Sequence, residues 1–239
     1  MVNQVVQYGH FQDAWAGYEN YLMQLIEKNG YKNILDIGGG ANPILKEDFV
    51  NRFGLDYAIL DISETELQKA PPSYTKVVAD AASPSFSVNK KFDFVFSKMF
   101  AEHIKDAEQF HKNMLQILNT GGMSVHFFPT LYTFPFFVNY LVPEAISDRL
   151  LDIFSPRDRY QNAKFPAYYK WCRGPLKSLI KRYETLGYEV VEYKGFFGHD
   201  YYESVPPVDA LHRMKTKFLL GYPNPLFTSY AYLVLKKRA

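Results

Sequence analysis

Apolar positions recur at helical spacing from Phe11 to Asn29, where Trp15, Tyr18, Leu22, Leu25 and Ile26 share one stripe and Gly30 supplies a stop. A short apolar run from Asn33 to Ile37 follows and ends in Gly38, Gly39 and Gly40. Asn42 stands next as a helix cap with Pro43 at the first helical position, so the pattern predicts strand, glycine turn, helix. The alternation then repeats. Tyr57 to Leu60 reads as a second strand ending at Asp61, and Lys76 to Ala79 as a third ending at Asp80. Phe92 to Phe96 is a fourth, followed by a helix centred on Ala107 to Leu118, and Gly121 and Gly122 turn the chain into a fifth strand, Met123 to Phe128. Strands alternating with helices at this spacing predict an α/β fold, a mostly parallel sheet with helices on both faces.

After Phe128 the rhythm breaks. Residues 129–174 contain Pro129, Pro135, Pro143, Pro156 and Pro166, many rings, and the basic residues Arg157, Arg159 and Lys164. A helix is expected from Pro175 to Leu186, stopped by Gly187, and two closing strands at Tyr188 to Phe197 and Ser229 to Leu235. The connection 198–227 between them is unusually long, and long structured inserts in small domains commonly carry function. The division expected is one domain over 1–239: a helical cap at 1–30, a core at 31–128, an aromatic-rich insert at 129–174, and a closing helix and strands at 175–239.

Composition narrows the partners. The 239 residues suffice for one sizeable core and not for two ordinary enzyme domains. With 27 Lys and Arg against 25 Asp and Glu, the net charge of +2 argues against a polybasic nucleic-acid arm and against an acidic disordered tail. Rings are abundant, with 20 Phe, 19 Tyr and 2 Trp, so some are expected to stack on a ligand. Cys172 is the only cysteine, which excludes an intramolecular disulfide and suits a reducing compartment. The start MVNQVVQYGHFQDAW shows neither the basic nor the apolar segment of a secretory leader. The stretch from Gly121 to Pro143 lacks Asp, Glu, Lys and Arg, yet His126, Pro129, Pro135 and Asn139 interrupt it, so no spanning helix is expected. The expectation is a soluble, cytoplasmic chain.

The chemistry concentrates at the predicted strand ends. In ILDIGGGANP the glycines let backbone approach a ligand closely, and the helix start beyond them would present free N–H groups. Asp36 can accept a hydrogen bond from a cationic amine or fix the loop. Asp61 lies 23 residues beyond Gly38, where an acid receives a ribose diol in nucleoside-binding sheets. Asp80 and Ala81 end the third strand, where a carboxylate can meet an adenine amino group. Dinucleotide folds want a third glycine where this chain has Pro43, so a mononucleoside with a small charged tail fits better than a pyrophosphate, and a nicotinamide-dependent oxidoreductase is disfavoured.

In their order, ILDIGGGANP, LDIS, ADAAS, FDFVFSKMFAEHIKD and LNTGGMSVHFFP resemble the motifs of class I S-adenosylmethionine-dependent methyltransferases, of the small-molecule, type 11-like kind. The resemblance covers residues 30–130, and more loosely the segments from Pro175 onward. It implies a Rossmann-like, seven-stranded sheet whose last strand runs antiparallel, with S-adenosylmethionine as cofactor and S-adenosylhomocysteine as product. It also implies that Asp36, Gly38, Gly39, Gly40 and Asn42 surround the methionine moiety, that Asp61 and Ile62 meet the ribose, that Asp80 and Ala81 flank the adenine, and that Ser97 and Met99 line the fourth strand's carboxyl end. The family often has a further glycine where this chain has Asn42.

Methyl transfer from a sulfonium is an in-line displacement, so the protein must align donor and acceptor and exclude water, and an alcohol acceptor also needs a base. His103 and His126, placed at strand ends facing the expected cleft, are the candidate bases. His199 beside Asp200 is a weaker one, since adjacent residues seldom face each other. No clustered spacing of His, Asp and Glu argues for a metal. Within the insert, Tyr132, Tyr168, Tyr169 and Trp171 are candidate walls for a planar or sugar acceptor, and Arg157 with Arg159 a candidate anion clamp. Tyr8, His10 and Trp15 would close over the cofactor. The favoured function is methyl transfer to an oxygen or nitrogen of a small metabolite or sugar, with no nucleic-acid partner. The alternatives are a noncatalytic nucleoside-binding module and a lipid-linked acceptor, the last suggested by the apolar stretch from Phe134 to Val142.

Overall fold

The computed structural model describes residues 5–133 and 166–238. Strand β1 (Val6–His10) runs straight into helix α1 (Phe11–Asn29), followed by β2 (Asn33–Ile37), α2 (Glu47–Phe53), β3 (Asp56–Asp61), α3 (Glu64–Gln68) and β4 (Thr75–Val78). Next come β5 (Phe92–Lys98), α4 (Ala107–Ile117), β6 (Leu118–Pro129), α5 (Lys177–Leu186), β7 (Tyr188–Phe197), α6 (Pro206–Gly221) and β8 (Tyr230–Lys237). The period-3.6 pattern of α1 is realised as a buried stripe of Phe11, Ala14, Tyr18, Leu22 and Ile26. Near-continuous apolar strands such as β3 and β5 are what a sheet covered on both faces demands.

All eight strands form one sheet in the order β1-β7-β8-β6-β5-β2-β3-β4, with β8 antiparallel to β6 and β7 and the other pairs parallel. Residues of α1, α2 and α3 pack on one face, with Tyr18, Leu22, Val50 and Leu67 against Phe94, Phe96 and Phe127. Residues of α4 and α5 cover the other, with Phe110, Met114, Leu179 and Tyr183 against Val95, Tyr193 and Leu233. From β2 the chain steps outward through β3 and β4, then crosses back to β5 and proceeds the other way. The carboxyl ends of β2 and β5 therefore flank the point of reversal, where open α/β sheets have their crevice.

The structure departs from the expected elements in three places. The sheet has eight strands, one more than the seven expected, because Val6–His10 pairs in parallel with the outer edge of β7. Five residues, four half-buried and one exposed, with a glycine among them, carry little strand pattern of their own. The glycine turn does not open a helix at Asn42 and Pro43, since α2 begins at Glu47. Lastly, the 198–227 connection contains a 16-residue helix, α6, whose first-turn prolines, Pro206 and Pro207, resemble breakers although proline is tolerated there. Much of the aromatic insert, including Arg157, Arg159, Lys164 and the stretch from Phe134 to Val142, lies outside the described residues. Among the described residues no helix is long and apolar enough to cross a membrane.

The segment leading into α5 is seated tightly against the turn that precedes β8. A side chain at Gly174 would overlap the Pro225 carbonyl oxygen and the Thr228 hydroxyl, whereas one at Gly221 meets nothing within 4 Å. Gly174→Ala is expected to cost about 2 kcal/mol and Gly221→Ala to be neutral or slightly stabilising, read as the shift in thermal midpoint against wild type.

Candidate functional site

The site is built around a carboxylate taken out of water. Asp36, near the end of β2, is buried and accepts hydrogen bonds from the Tyr57 hydroxyl at 2.6 Å and the Ile44 N–H at 3.0 Å. Burial pushes its pKa up to about 6, against the pull of those two donors. The bond to Ile44 explains the late start of α2, because residues 41–44 are drawn back beneath the turn before the helix can begin. Asn42 accordingly sits in a turn, its N–H donating to the Gly39 carbonyl at 2.8 Å, and caps no helix. Here Asp36 fixes the loop, one of the two roles open to it from sequence.

Above Asp36 the glycines are required by close approach. Gly38 (φ 75°) and Gly40 (φ 40°) occupy left-handed conformations. A Cβ at Gly38 would lie 2.5 Å from the Phe100 ring, and one at Gly39 2.8 Å from Ile59 and 2.9 Å from the Asp36 carboxyl carbon. A Cβ at Gly40 would lie 3.0 Å from Asp61 Oδ2. The turn is thus a bare backbone cradle between two acids, backed by a ring. Asp61 Oδ1 accepts the Ser63 N–H at 2.9 Å, which orients its carboxylate towards Gly40, and the next side chain, Ile62, is 68% exposed at the crevice rim. Asp80 is exposed at the end of β4, with Oδ1 accepting the Ala82 N–H at 2.9 Å, and Ala81 is buried. Asn113 of α4 clamps this loop by donating to the Ala81 and Ser83 carbonyls, each at 2.9 Å. Neither Tyr57 nor Asn113 was singled out in the sequence; each acts through a partner far away in the chain, and no local pattern marks it.

The remaining candidates divide between rim and interior. Met99 (φ 53°) is a non-glycine residue in left-handed backbone, its N–H bonded to the Phe127 carbonyl at 2.7 Å. This forced turn at the end of β5 lays Phe100 against Gly38. Ser97 and His126 are fully buried side by side: the Ser97 hydroxyl meets His126 Nδ1 at 2.8 Å, and the Ser124 hydroxyl meets Nε2 at 2.7 Å. Burial lowers the His126 pKa to about 3. Expected at a strand end facing the cleft, His126 lies instead inside the layer beneath α4, with both nitrogens engaged. His103 sits on the short helical turn Ala101–His103 beyond β5, with Nδ1 at 2.9 Å from the Pro166 carbonyl. That contact requires Nδ1–H as donor, so Nε2 is the proton-accepting nitrogen of the neutral ring. His199 is paired with His212, whose Nε2 accepts the His199 N–H at 3.2 Å, rather than with Asp200.

Of the expected acceptor walls, Tyr169 is buried, and Trp171 is half-buried and stacks on His111 with ring centroids 5.7 Å apart. Their left-handed backbones (φ 49° and 61°) turn this segment into the layer beside α4 and α5. Tyr168 is half-buried, and Tyr132 is 37% exposed beneath the Arg173 guanidinium. Trp15 keeps 41% of its surface exposed at the start of α1, its edge against Phe127 and Tyr230 and the Lys98 ammonium 5.2 Å over its ring. Tyr8 stacks on Phe197, and His10 caps α1 by accepting the Gln12 N–H. Among the described residues no group of three or more His, Cys, Asp and Glu is placed to hold a metal ion.

A doubly wound sheet with a bare glycine cradle and acids at its carboxyl ends, at the point of strand reversal, is the arrangement in which open α/β sheets have their ligand crevice. Residues 35–126 match the family model described as a methyltransferase domain. A search of curated proteins returned no match. Among solved structures, an S-adenosylmethionine-dependent methyltransferase from Clostridium acetobutylicum is 12% identical with a TM-score of 0.55, the alignment covering 93% of this chain and 91% of that one. Phosphoethanolamine N-methyltransferase 2 from Haemonchus contortus, in complex with S-adenosyl-L-methionine, is 18% identical with a TM-score of 0.56, over 93% of this chain and 53% of that one. An S-adenosylmethionine-dependent methyltransferase from Archaeoglobus fulgidus is 16% identical with a TM-score of 0.52, over 95% and 98% of the two chains. Family match and fold agree: residues 35–126 match a methyltransferase domain, and the chain shares the fold of S-adenosylmethionine-dependent methyltransferases.

Behind Phe100, Glu102 is buried, and among the described residues its Oε2 has no hydrogen-bond partner. Burial raises its pKa from 4.5 to about 8, so the carboxyl is mostly neutral at pH 7. Its unfolded form releases the proton near pH 4.5 and its folded form near 8, so this group favours unfolding increasingly as pH rises through that window. Glu102→Gln is therefore expected to gain stability over wild type as pH rises from about 4.5 to 8 and to hold that advantage at pH 9, in thermal melts across pH.

Proposed function

We propose that the chain binds S-adenosylmethionine in the crevice between β2 and β5 and transfers its methyl group to an oxygen or nitrogen of a small metabolite or sugar-type acceptor. The observation that carries the reading is the glycine cradle Gly38–Gly40, left bare between Asp36 and Asp61, where any side chain would strike carboxylate, ring or strand. The sulfonium supplies an already activated methyl, so the protein's part is alignment and exclusion of water. In this assignment Gly38, Gly39, Gly40 and Asn42 offer backbone to the methionine portion. Asp61 receives the ribose hydroxyls, and the adenine lies between Ile62 and Ala81 with Asp80 at its amino edge. Trp15, backed by the buried Phe127 and Tyr230, walls the acceptor side, with Lys98 fixed over it.

For an acceptor that must lose a proton, His103 Nε2 is the group we assign as base, because its tautomer is set by the Pro166 carbonyl. His126 is assigned to positioning: it holds Ser97, whose carbonyl takes the Tyr18 hydroxyl at 2.7 Å and so ties α1 to β5. The phosphoethanolamine enzyme shares the fold at 18% identity, which does not transfer its acceptor to this chain.

Calorimetric titration tests the reading. S-adenosylmethionine and S-adenosylhomocysteine are expected to bind at micromolar affinity and NAD not at all. Asp61→Ala is expected to weaken both by about 100-fold, the loss of a charge-assisted ribose pair. Absence of binding in folded wild-type protein, or equal affinity in Asp61→Ala, overturns the assignment.

A further inference from the structure

Large apolar side chains are exposed mainly on one part of the described surface: of twelve such residues, eight fall between Val208 and Phe227. The cause is the orientation of α6. His212, Thr216 and Leu219 are its buried residues, while Leu211, Met214 and Phe218 are 68, 69 and 63% exposed. Tyr222, just past the helix end and 72% exposed, continues the same row. Spacings of three, four and four residues place the four on one face, a row about 16 Å long.

The inward face carries His212, Thr216 and Leu219, and among the described residues the buried Thr216 hydroxyl has no hydrogen-bond partner. His212 Nε2 accepts the His199 N–H, and Thr216 packs against Gly198, where an added Cβ would come within 3.2 Å of its methyl. The helix is therefore held across the ends of β7 and β1 by its polar side, leaving a row of Leu, Met, Phe and Tyr in water. A helix of ordinary amphipathicity would turn these residues inward, and nothing in the methyl-transfer reading uses them.

Charge selects the occupant. At 100° per residue, Lys215 borders the row on one side and Lys217 on the other, both exposed. The single acid of the helix, Asp209, is bound to Arg213 at 2.6 Å, away from the row. A second copy laid face to face would set these lysines against their own counterparts, whereas an anionic surface would receive them and take up the row between. The face also continues to the crevice. His199 and Tyr201 follow β7 beside α6, Tyr201 interacts with Tyr230, and the Tyr230 ring meets Trp15.

We infer that α6 is an interfacial helix: it lays Leu211, Met214, Phe218 and Tyr222 into the headgroup region of an anionic lipid bilayer, with Lys215 and Lys217 on the lipid charges and the crevice mouth turned towards the surface. The lipid contacts use none of the residues of the methyl-transfer site, so vesicle binding is read apart from that reading; only the orientation of the crevice mouth rests on it. The test is flotation of the full chain with phosphatidylcholine vesicles, with and without phosphatidylglycerol, at low and raised salt. Wild type is expected to float with the anionic vesicles and to be released by salt. Met214→Glu with Phe218→Glu is expected to lower partitioning by about tenfold or more, and Lys215→Gln with Lys217→Gln by a similar factor. Met214 and Phe218 are 69 and 63% exposed, so for their double variant thermal midpoint and S-adenosylhomocysteine affinity should stay at wild-type values; Lys215 also lies near the His199–His212 pair, so for the lysine variant the affinity alone should stay there. No flotation of wild type, or equal flotation of the Met214→Glu, Phe218→Glu variant, overturns the inference. A dimer in light scattering that this variant dissolves, without vesicle binding by wild type, assigns the face to a second copy and also overturns it.

Discussion

A carboxylate buried near the carboxyl end of an interior strand has to be met by donors, and the arrangement around Asp36 follows from meeting that need. Tyr57 reaches it from the neighbouring strand and Ile44 from the loop beyond the glycines, so β2, β3 and the turn are locked at one point. The Tyr57 ring packs edge-on to Tyr74, whose hydroxyl donates to the Leu45 carbonyl at 2.8 Å, which carries the same constraint to the segment before β4. With the loop drawn down on the Asp36 side, the glycines are left as the upper surface, and their backbone becomes the floor of the crevice. A polar group that is expensive to bury thus shapes a surface that a ligand can approach.

The aromatic richness of the chain goes chiefly into packing. The largest fully buried side chains are all Tyr or Phe, and their hydroxyls close backbone accounts: Tyr18 on the Ser97 carbonyl, Tyr188 on that of His111, Tyr193 on that of Arg173. These bonds span 79, 77 and 20 residues of chain, so the tyrosines join layers as well as fill them. Trp171 and His111 continue this on the α4 side. A few rings keep open surface at the crevice, with Trp15 foremost, and it is held there by Phe127, Tyr230 and Lys98.

On the far side of the crevice the same economy is reversed. Helix α6 spends polar residues inward, where His212 and Thr216 fit the end of β7, and apolar residues outward. Its stripe has an ordinary helical period, so the sequence shows an amphipathic segment without showing which side faces the protein. Only docking on β1 and β7 decides that.

The alternation of apolar runs with helical stripes was enough to read the α/β class, the strands that carry Asp36 and Asp61 or lead to Asp80, and the glycine turn, because each is a local pattern whose period or residue type admits few backbones. The sequence by itself therefore determined the order of strands β2 to β8 and of helices α1, α4 and α5 along the chain. What it did not carry were relations between distant residues. The outer strand β1 is a strand because β7 offers it an edge. Asn42 lost its helix because Asp36 captured Ile44. His126, with an ordinary strand pattern around it, became an interior residue because Ser97 lies opposite it in the register of β5 and β6. These were decided by the tertiary structure alone, since a buried polar group takes whichever partner the packed layers bring within hydrogen-bond reach, and that partner has no fixed distance along the chain.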